Sequence, residues 1–345
     1  MNLPELSLWA NLAVFLCLAA GIWFAGTYLT HLADTLADRL NLPKSAIGLL
    51  FLAVATSLPE VATTFTAAMQ QQADLLLNNL FGGIVVQTTM LAVADYWVRG
   101  PITNYPRRAD HILESVVLMI LLQVLLAIVV IAEPRAIGHV GIGAIVLGLL
   151  YVLAVVLLRS SYGGPPWVPL EMPETDSADG WVPAPTGLEQ FSSRRLVLLA
   201  LLCCAAILGL GVAIVFVAEE LSHQTGLGAS FVGVSLLAAA TSLPELSTTI
   251  TAVRLRSYTL AISNILGSNL LMIALAAPAD LIYLKGPILK DGGPSVGLTI
   301  VAALLVTTIL CGGLVLRSKP SLWRLGVDSW MIVLVYAATI LVLLS

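Results

Sequence analysis

The sequence has few charged residues. Only 10% of its 345 residues are Asp, Glu, Lys or Arg, whereas 59% are apolar, and the mean hydropathy is +0.97. Because so few charged residues cannot cover a water-exposed surface, the composition excludes a soluble globular protein. It is typical of a polytopic helical membrane protein.

Cysteine and histidine are also scarce. The four cysteines lie within apolar segments and lack the spacing of a disulfide framework or a zinc site, so we interpret them as packing residues: Cys17, Cys203, Cys204 and Cys311. The four histidines lie near predicted loops: His31, His111, His139 and His223. Because no Ser/His or paired-Asp arrangement occurs at helical spacing, an intramembrane enzyme is not favoured.

What the sequence does contain is ten apolar segments, each about 20 residues or longer, which is the length needed to cross a hydrocarbon core. They span approximately residues 6–30, 45–70, 73–97, 112–132, 137–158, 195–219, 229–253, 258–283, 295–316 and 323–344. The first is preceded by Glu5 instead of a basic cluster, so we expect a retained helix and not a cleaved signal peptide. The predicted fold class is therefore all-α, with ten transmembrane helices.

The basic residues are distributed unevenly between the predicted loops. Thirteen of the 16 Lys and Arg residues lie in loops that follow odd-numbered helices, and only Arg135, Lys285 and Lys290 lie on the other side. Since cytoplasmic loops collect Lys and Arg, we expect both termini outside the cytoplasm. The expected location is the plasma (inner) membrane of a prokaryote.

One phrase occurs twice in the chain. Residues 53–60 read AVATSLPE, residues 238–245 read AAATSLPE, and the offset of 185 also pairs Ser45 with Ser230 and Asp95 with Asp280. An odd number of predicted crossings separates the copies, so they run in opposite directions. The sequence therefore predicts two inverted five-helix repeats, residues 1–160 and 194–345.

The only long polar stretch lies between these halves. Residues 161–193 are rich in Pro and acidic side chains, so we expect a flexible cytoplasmic linker. A regulatory cation-binding role is the alternative, although the acids lack the spacing and Gly turn of a calcium loop.

The repeated phrase carries the chemistry. Pro59 and Pro244 interrupt their helices, which frees backbone carbonyl groups near the middle of the membrane. A carboxylate at that depth is costly, so Glu60 and Glu245 are candidates for a functional site. Together with hydroxyl and carbonyl oxygens they form the ligand set that hard cations prefer, and their two charges balance one divalent or two monovalent ions. The alternative interpretation is structural, because Pro-kinked helices with Thr and Ser are common in membrane bundles.

The motif TSLPE in two copies, followed in the second by NILGSN at residues 264–269, resembles the paired repeats of the cation/calcium antiporter superfamily, which includes sodium/calcium exchangers. The resemblance implies that Glu60 and Glu245 bind the divalent ion. It further implies that Thr56 and Thr241 lend carbonyl oxygens, and that the first and sixth helices slide to alternate access. The residues implied in flanking sodium sites are Ala53, Ser57, Ala238, Ser242 and Ser268.

Two positions depart from the family pattern, which commonly has Ser followed four residues later by Asn or Asp. Here those positions are Gly83 and Gln87 in the first copy, and Ser268 and Met272 in the second. Gln87 can still offer an amide oxygen, and we interpret Met272 as a packing residue and not a soft-metal ligand. The number and identity of the coupling ions therefore stay open.

The function predicted from the sequence is secondary active exchange of calcium, or a similar divalent cation, against sodium. The alternatives are a proton-coupled cation antiporter and, from another class, a cation channel or non-transporting ion sensor. The expected partners are cations and the lipid bilayer, without nucleic acid, and the oligomeric state is not predicted. Asp95, Asp280 and Glu133 lie near predicted helix ends, where we expect solvated side chains. The threonines that follow each TSLPE are expected to bond back to their own helices.

Overall fold

The computed structural model describes residues 7–40, 47–98, 100–106, 109–133, 135–161, 187–225, 238–316 and 321–344. Within these ranges the protein is all-helical apart from two short hairpins. The first half contains α1 (Leu8–Arg39), a π-helical segment (Ile47–Leu52), α2 (Ala53–Thr56), α3 (Leu58–Met69), α4 (Ala73–Val93), α5 (Asp110–Val130), β1 (Ala136–Ile137), β2 (Val140–Gly141) and α6 (Ile142–Ser161). The second contains α7 (Ser193–Thr225), α8 (Ala238–Thr241), α9 (Leu243–Arg254), α10 (Tyr258–Ile282), α11 (Pro294–Val315), β3 (Ser321–Leu322), β4 (Leu325–Gly326) and α12 (Val327–Leu344). Short 3₁₀ turns cover Ala94–Trp97, Ile102–Asn104 and Leu188–Gln190.

The element boundaries recur along the chain. α3 starts at Leu58 and α9 at Leu243, and α4 starts at Ala73 and α10 at Tyr258. The two helices of each pair start 185 residues apart, and the hairpins β1–β2 and β3–β4 keep that spacing. The offset seen in the TSLPE motifs thus extends over both halves. Most of the predicted linker, residues 162–186, lies outside the described residues.

Seven described helices are long and apolar enough to cross a membrane: α1, α4 with its 3₁₀ extension, α5, α6, the first part of α7, α10 and α11. The interrupted pair Leu49–Thr56 and Leu58–Met69 would make an eighth. α12 is apolar but shorter, and residues 229–237 of the predicted seventh segment lie outside the described ranges. The membrane character agrees with the prediction, whereas the number ten stays a prediction.

The first helix is longer than predicted. Hydropathy suggested an end near residue 30, but α1 continues to Arg39. Its last turns bury Leu32, Ala33 and Leu36 while Asp34 and Asp38 lie on less buried faces. The apolar stripe therefore continues past the point where charge lowers the average hydropathy.

The TSLPE motif breaks its helix. α2 and α3 meet at Ser57 with a bend of 56°, and Pro59 occupies the first turn of α3, where its missing N–H costs no intrahelical bond. The same arrangement recurs at Ser242 and Pro244, between α8 and α9. Each break places the start of a new helix, with its free N–H groups, beside a glutamate.

Two buried aspartates connect the halves. Asp95 accepts hydrogen bonds from the Gly326 N–H (2.9 Å) and the Ser329 hydroxyl (2.6 Å), and from Ile102 N–H in its own half (2.7 Å). Its repeat partner Asp280 accepts from the N–H groups of Gly141 and Ile288, both at 2.6 Å. The expectation of solvated caps was wrong for both, because each side chain is 0% exposed.

Glu133 is likewise buried and not solvated. Its carboxylate accepts from the N–H groups of Gly143 (2.5 Å) and Ala144 (3.3 Å), at the start of α6. Burial raises the pKa of this carboxyl, while the two N–H bonds oppose that shift. The side chain thus caps a helix N-terminus, a role that short-range sequence pattern did not reveal.

Candidate functional site

The two TSLPE motifs meet in the centre of the molecule. The Ser57 hydroxyl, in the first motif, donates to Oε1 of Glu245, in the second, over 3.0 Å. Ser57 and Glu245 are both 0% exposed, and Glu60 is 1% exposed. Residues 188 positions apart in the chain are therefore in direct contact inside the bundle.

Ser268 of α10 completes the surroundings of Glu245. Its hydroxyl hydrogen-bonds to that of Ser57 and lies 3.4 Å from the same carboxylate oxygen of Glu245. Ser57 lies in the turn before α3, Glu245 lies on α9 and Ser268 lies on α10. The contact therefore depends on the packing of both halves. The second carboxylate oxygen, Oε2 of Glu245, has no hydrogen-bond partner.

Glu60 has a different neighbour. The Gln87 amide, on α4, donates to Oε1 of Glu60 over 3.4 Å, and Gln87 is 0% exposed. Oε2 of Glu60 and Oε1 of Gln87 have no hydrogen-bond partner. Burying oxygens without hydrogen-bond partners costs free energy, so this cluster is suited to binding a cation.

The remaining predicted residues line the breaks. Thr56 is buried beside Glu245, and its hydroxyl bonds to the Ala53 carbonyl over 3.3 Å. Thr241 and Ser242 are each 1% exposed. Ser242 lies beside Glu60, and its hydroxyl approaches that carboxylate. Ala238 starts α8, and its side chain lies outside the described residues.

The two glutamates lie close enough to each other to interact electrostatically, and neither is neutralised by a basic side chain of the described residues. They interact as like charges, and no Lys, Arg or His within the described ranges forms an ion pair with either. Two carboxylates that share a dry site repel unless a cation or protons neutralise them. The arrangement can therefore hold positive charge in the interior.

A comparison with known protein families identifies the family of this chain. The family model described as sodium/calcium exchanger protein matches residues 10–159 and 195–345, the greater part of the chain. The chain belongs to the sodium/calcium exchanger family. The family predicted from the motifs is thus confirmed, and it is a family of cation transporters and not an enzyme class.

Two curated relatives and one solved structure show how far the similarity of this exchanger-family chain extends. A protein of Alkalimonas amylolytica named as an antiporter, CaxA, is 27% identical over 267 residues, covering 76% of this chain and 77% of the relative. The inner membrane protein YrbG of Escherichia coli K12 is 25% identical over 270 residues, covering 74% and 75%. A solved structure of the sodium-calcium exchanger NCX_Mj superimposes with a TM-score of 0.67 at 16% identity, covering 98% of this chain and 99% of that one. This likeness establishes the shared fold.

The threonines of this exchanger-family chain behave in two ways. Thr63 and Thr248 each donate to the carbonyl groups three and four residues back, at 3.0–3.1 Å, as predicted. Thr64 and Thr249, one turn beyond Glu60 and Glu245, are buried and have no hydrogen-bond partner. The expected back-bonding is therefore wrong for this pair.

One buried polar cluster was not predicted. His111 Nδ1 lies 2.9 Å from Glu114 on α5, and the Ser263 hydroxyl of α10 donates to both oxygens of Glu114 at 2.9 and 3.1 Å. Glu114 is 0% exposed, although it lies in an apolar segment. The i, i+3 spacing of His111 and Glu114 on one helix was the available signal.

Proposed function

We propose that this protein is a secondary active antiporter that exchanges calcium, or a similar divalent cation, against sodium at a central site formed by Glu60 and Glu245. The proposal extends the family assignment to particular residues. Further candidate ligands are Thr56, Thr241, Ser57, Ser242, Ala53, Ala238, Ser268 and Gln87.

The observation that carries the proposal is the contact between the two motifs. Ser57 bonds to Glu245 across the halves, and one oxygen of each glutamate is left without a partner. Carboxylate, hydroxyl and amide oxygens are ligands for calcium, which accepts about six to eight oxygens in flexible geometry. Nitrogen and sulfur ligands of a softer metal are missing from the proposed set.

Exchange follows from charge balance. Two carboxylates are neutralised equally well by one divalent ion or by two monovalent ions, so either load lowers the cost of moving the site through a dry barrier. An empty site keeps two uncompensated negative charges and crosses with difficulty. Transport in one direction is therefore tied to transport in the other.

Alternating access is supported by two features. The recurrence of element boundaries, with cross-half contacts such as Asp95–Gly326 and Asp280–Gly141, favours two inverted five-helix repeats. The long helices α1 and α7 pack mainly on each other and on the interrupted helices of the opposite half. Gly26 of α1 and Gly211 of α7 provide side-chain-free contacts there, which suit sliding.

The same proposal includes a location. The protein lies in the plasma (inner) membrane of a prokaryote. The excess of Lys and Arg in loops that follow odd-numbered predicted helices favours an orientation with both termini outside the cytoplasm. Thiol labelling of single cysteines introduced near the two termini, in intact cells, tests this orientation. Labelling only after the cells are lysed would contradict it.

The decisive experiment uses purified protein in liposomes. An outward sodium gradient should drive calcium uptake. Glu60→Gln and Glu245→Gln should each lower calcium affinity by about 30-fold or more, because losing a buried charged ligand costs about 2–5 kcal/mol. Glu189→Gln is the matched control, since this exposed glutamate uses only its backbone carbonyl, in a bond from Arg39. Normal calcium uptake by either site variant would refute the assignment.

A proton-coupled cation antiporter is the second candidate. It is favoured by the side of the site at Glu60, where Gly83 supplies no hydroxyl and Met272 supplies no oxygen. Calcium uptake that follows a pH gradient without sodium would select this candidate. Calcium flux that requires no cation on the opposite side would instead indicate a channel.

A further inference from the structure

The hairpin β3–β4 has a different tip from the corresponding hairpin β1–β2. Its two tip residues are Trp323 and Arg324, whereas the corresponding tip residues of β1–β2 are Gly138 and His139. Trp323 and Arg324 both adopt a left-handed backbone conformation, with φ of 52° and 71°, and Gly138 has a φ of 68°. Glycine adopts this conformation without strain, but a bulky side chain does not. Since the chain has a Trp where the other hairpin has a Gly, the strain indicates a function for the side chains at this tip.

The tip lies beside two aromatic side chains of the 3₁₀ turn that follows α4. The guanidinium carbon of Arg324 lies 5.3 Å from the centroid of the Tyr96 ring. The Tyr96 ring in turn packs edge-on against the ring of Trp97, with the centroids 5.5 Å apart. All four side chains are exposed, and that of Trp323 is 81% exposed. We call Tyr96, Trp97, Trp323 and Arg324 the aromatic–arginine patch.

Positive charge is concentrated around β3–β4 and not around β1–β2. Residues 316–326 contain three basic side chains and no acidic one: Arg317, Lys319 and Arg324. The corresponding residues 131–141 contain one acidic side chain, one basic side chain and a histidine: Glu133, Arg135 and His139. The two hairpins share a backbone plan, so the aromatic and basic side chains are a feature of one end of the molecule only.

The acidic side chains at the base of β3–β4 are engaged in the interior. Asp95 accepts a hydrogen bond from the Gly326 N–H, and Asp328 accepts one from the Thr103 hydroxyl over 2.7 Å. Both carboxylates are buried. Among the residues that the structure describes, no acidic side chain forms an ion pair with Arg324. The charge of its exposed guanidinium group is therefore available to an anionic ligand.

The chemistry of the patch fits one constituent of the surrounding membrane. Trp and Tyr collect at the membrane–water interface, where their rings lie at the level of the lipid headgroups. A guanidinium group binds phosphate through paired N–H donors, and basic residues beside a membrane attract anionic lipids. We propose that the aromatic–arginine patch is a binding site for an anionic phospholipid, whose phosphate contacts Arg324 while Trp323 and Tyr96 pack on the glycerol and the adjacent acyl chains.

A lipid bound at this tip stabilises the folded protein. The hairpin is joined to the rest of the bundle at its base, where the Gly326 N–H bonds to Asp95 and the Trp330 indole donates to the Leu322 carbonyl over 3.0 Å. A ligand that binds only the folded hairpin therefore raises the free energy of unfolding. The patch is separate from the central glutamates, so the inference does not depend on the proposed exchange.

The experiment follows thermal unfolding of the purified protein in detergent while phosphatidylglycerol is added. Phosphatidylcholine with the same acyl chains and inorganic phosphate are added in separate series. We expect phosphatidylglycerol to raise the melting temperature at a lower concentration than phosphatidylcholine does, and inorganic phosphate to leave it unchanged. Arg324→Gln should weaken the apparent affinity for phosphatidylglycerol about fivefold, the contribution of one basic residue at an anionic membrane surface.

Two further variants separate lipid binding from folding. Trp323→Gly introduces the residue of the other hairpin, which adopts the left-handed conformation without strain. It should weaken phosphatidylglycerol binding without lowering the melting temperature measured before lipid is added. Arg135→Gln, which removes an exposed arginine beside β1–β2, is the matched control and should keep the natural response to phosphatidylglycerol.

Each contrary outcome overturns the inference. Equal responses of the natural sequence to the two lipids would show that the patch does not recognise an anionic headgroup. Equal phosphatidylglycerol affinities of Arg324→Gln and Arg135→Gln would show that Arg324 does not contact the lipid. A rise in melting temperature with inorganic phosphate that matches the rise with phosphatidylglycerol would indicate a site for free phosphate instead. None of these outcomes bears on calcium exchange, which the liposome assay measures separately.

Discussion

Replacement of Asp95 by Asn tests whether the buried aspartates hold the halves together. Asp95 Oδ1 accepts from Ile102 N–H, and Oδ2 accepts from Gly326 N–H and Ser329. An Asn side chain keeps one acceptor oxygen and presents an N–H₂ group to the other donors. Ser329 can rotate to accept, but the Gly326 N–H cannot, so one buried backbone donor is left unpaired.

The magnitude follows from these bonds. A hydrogen bond to a charged group contributes about 1.5–3 kcal/mol, and an unsatisfied buried donor costs about 1–3 kcal/mol. Removing the buried charge returns part of its desolvation cost, so the expected loss for Asp95→Asn is about 2–4 kcal/mol. Asp280→Asn should cost less, because Asp280 accepts two hydrogen bonds, from the N–H groups of Gly141 and Ile288, and has no contact equivalent to that of Asp95 with Ser329.

The assay is thermal unfolding of the purified protein in detergent, followed by circular dichroism. We expect the order natural sequence, Asp280→Asn, Asp95→Asn from highest to lowest melting temperature, with Glu189→Gln unchanged. A melting temperature for Asp95→Asn that equals the Glu189→Gln control would refute the reasoning. It would mean that the cross-half bonds add no net stability.

Two further predictions concern close helix contacts. Gly267→Ala should destabilise the protein and weaken calcium binding, because the new Cβ would lie 2.7 Å from the Leu49 carbonyl oxygen, a backbone atom that cannot rotate away. Gly211→Ala should slow transport, since its Cβ would collide with the Pro59 ring of the interrupted helix. Gly209→Ala, with open space around the new methyl, is the control for both and should be neutral or slightly stabilising in a helix. Normal melting and calcium uptake of either variant, measured beside that control, would contradict these contacts.

The sequence predicted the centre of the molecule better than its edges. Glu60, Glu245 and Ser57 carried a repeated, costly chemical signal, and the repeat indicated that the two copies meet. Asp95 and Asp280 kept the same register, yet their role was missed because their partners are backbone N–H groups of Gly326 and Gly141. Backbone donors have no side-chain signature, so a buried aspartate and a solvated cap look alike in sequence.

Packing was predictable in kind but not in geometry. Met272 could be interpreted as a packing residue from its chemistry, whereas its contact with Gly83 required the relative position of α4 and α10. Glu114 was overlooked because an apolar average hides a single buried acid. The length of α1 was underestimated for the opposite reason, since charged residues on one face hide a continuing apolar stripe.

The reciprocal aspartates also constrain how the protein is made. When the ribosome has finished the first half, Asp95 is already in the membrane, but Gly326 and Ser329 are not yet synthesised. Asp280 in turn accepts a hydrogen bond from the N–H of Gly141, which is synthesised long before Asp280. Each half supplies only one of the donors to its own buried carboxylate, the Ile102 N–H for Asp95 and the Ile288 N–H for Asp280. We therefore expect the halves to be insoluble or degraded when expressed separately and to recover when co-expressed.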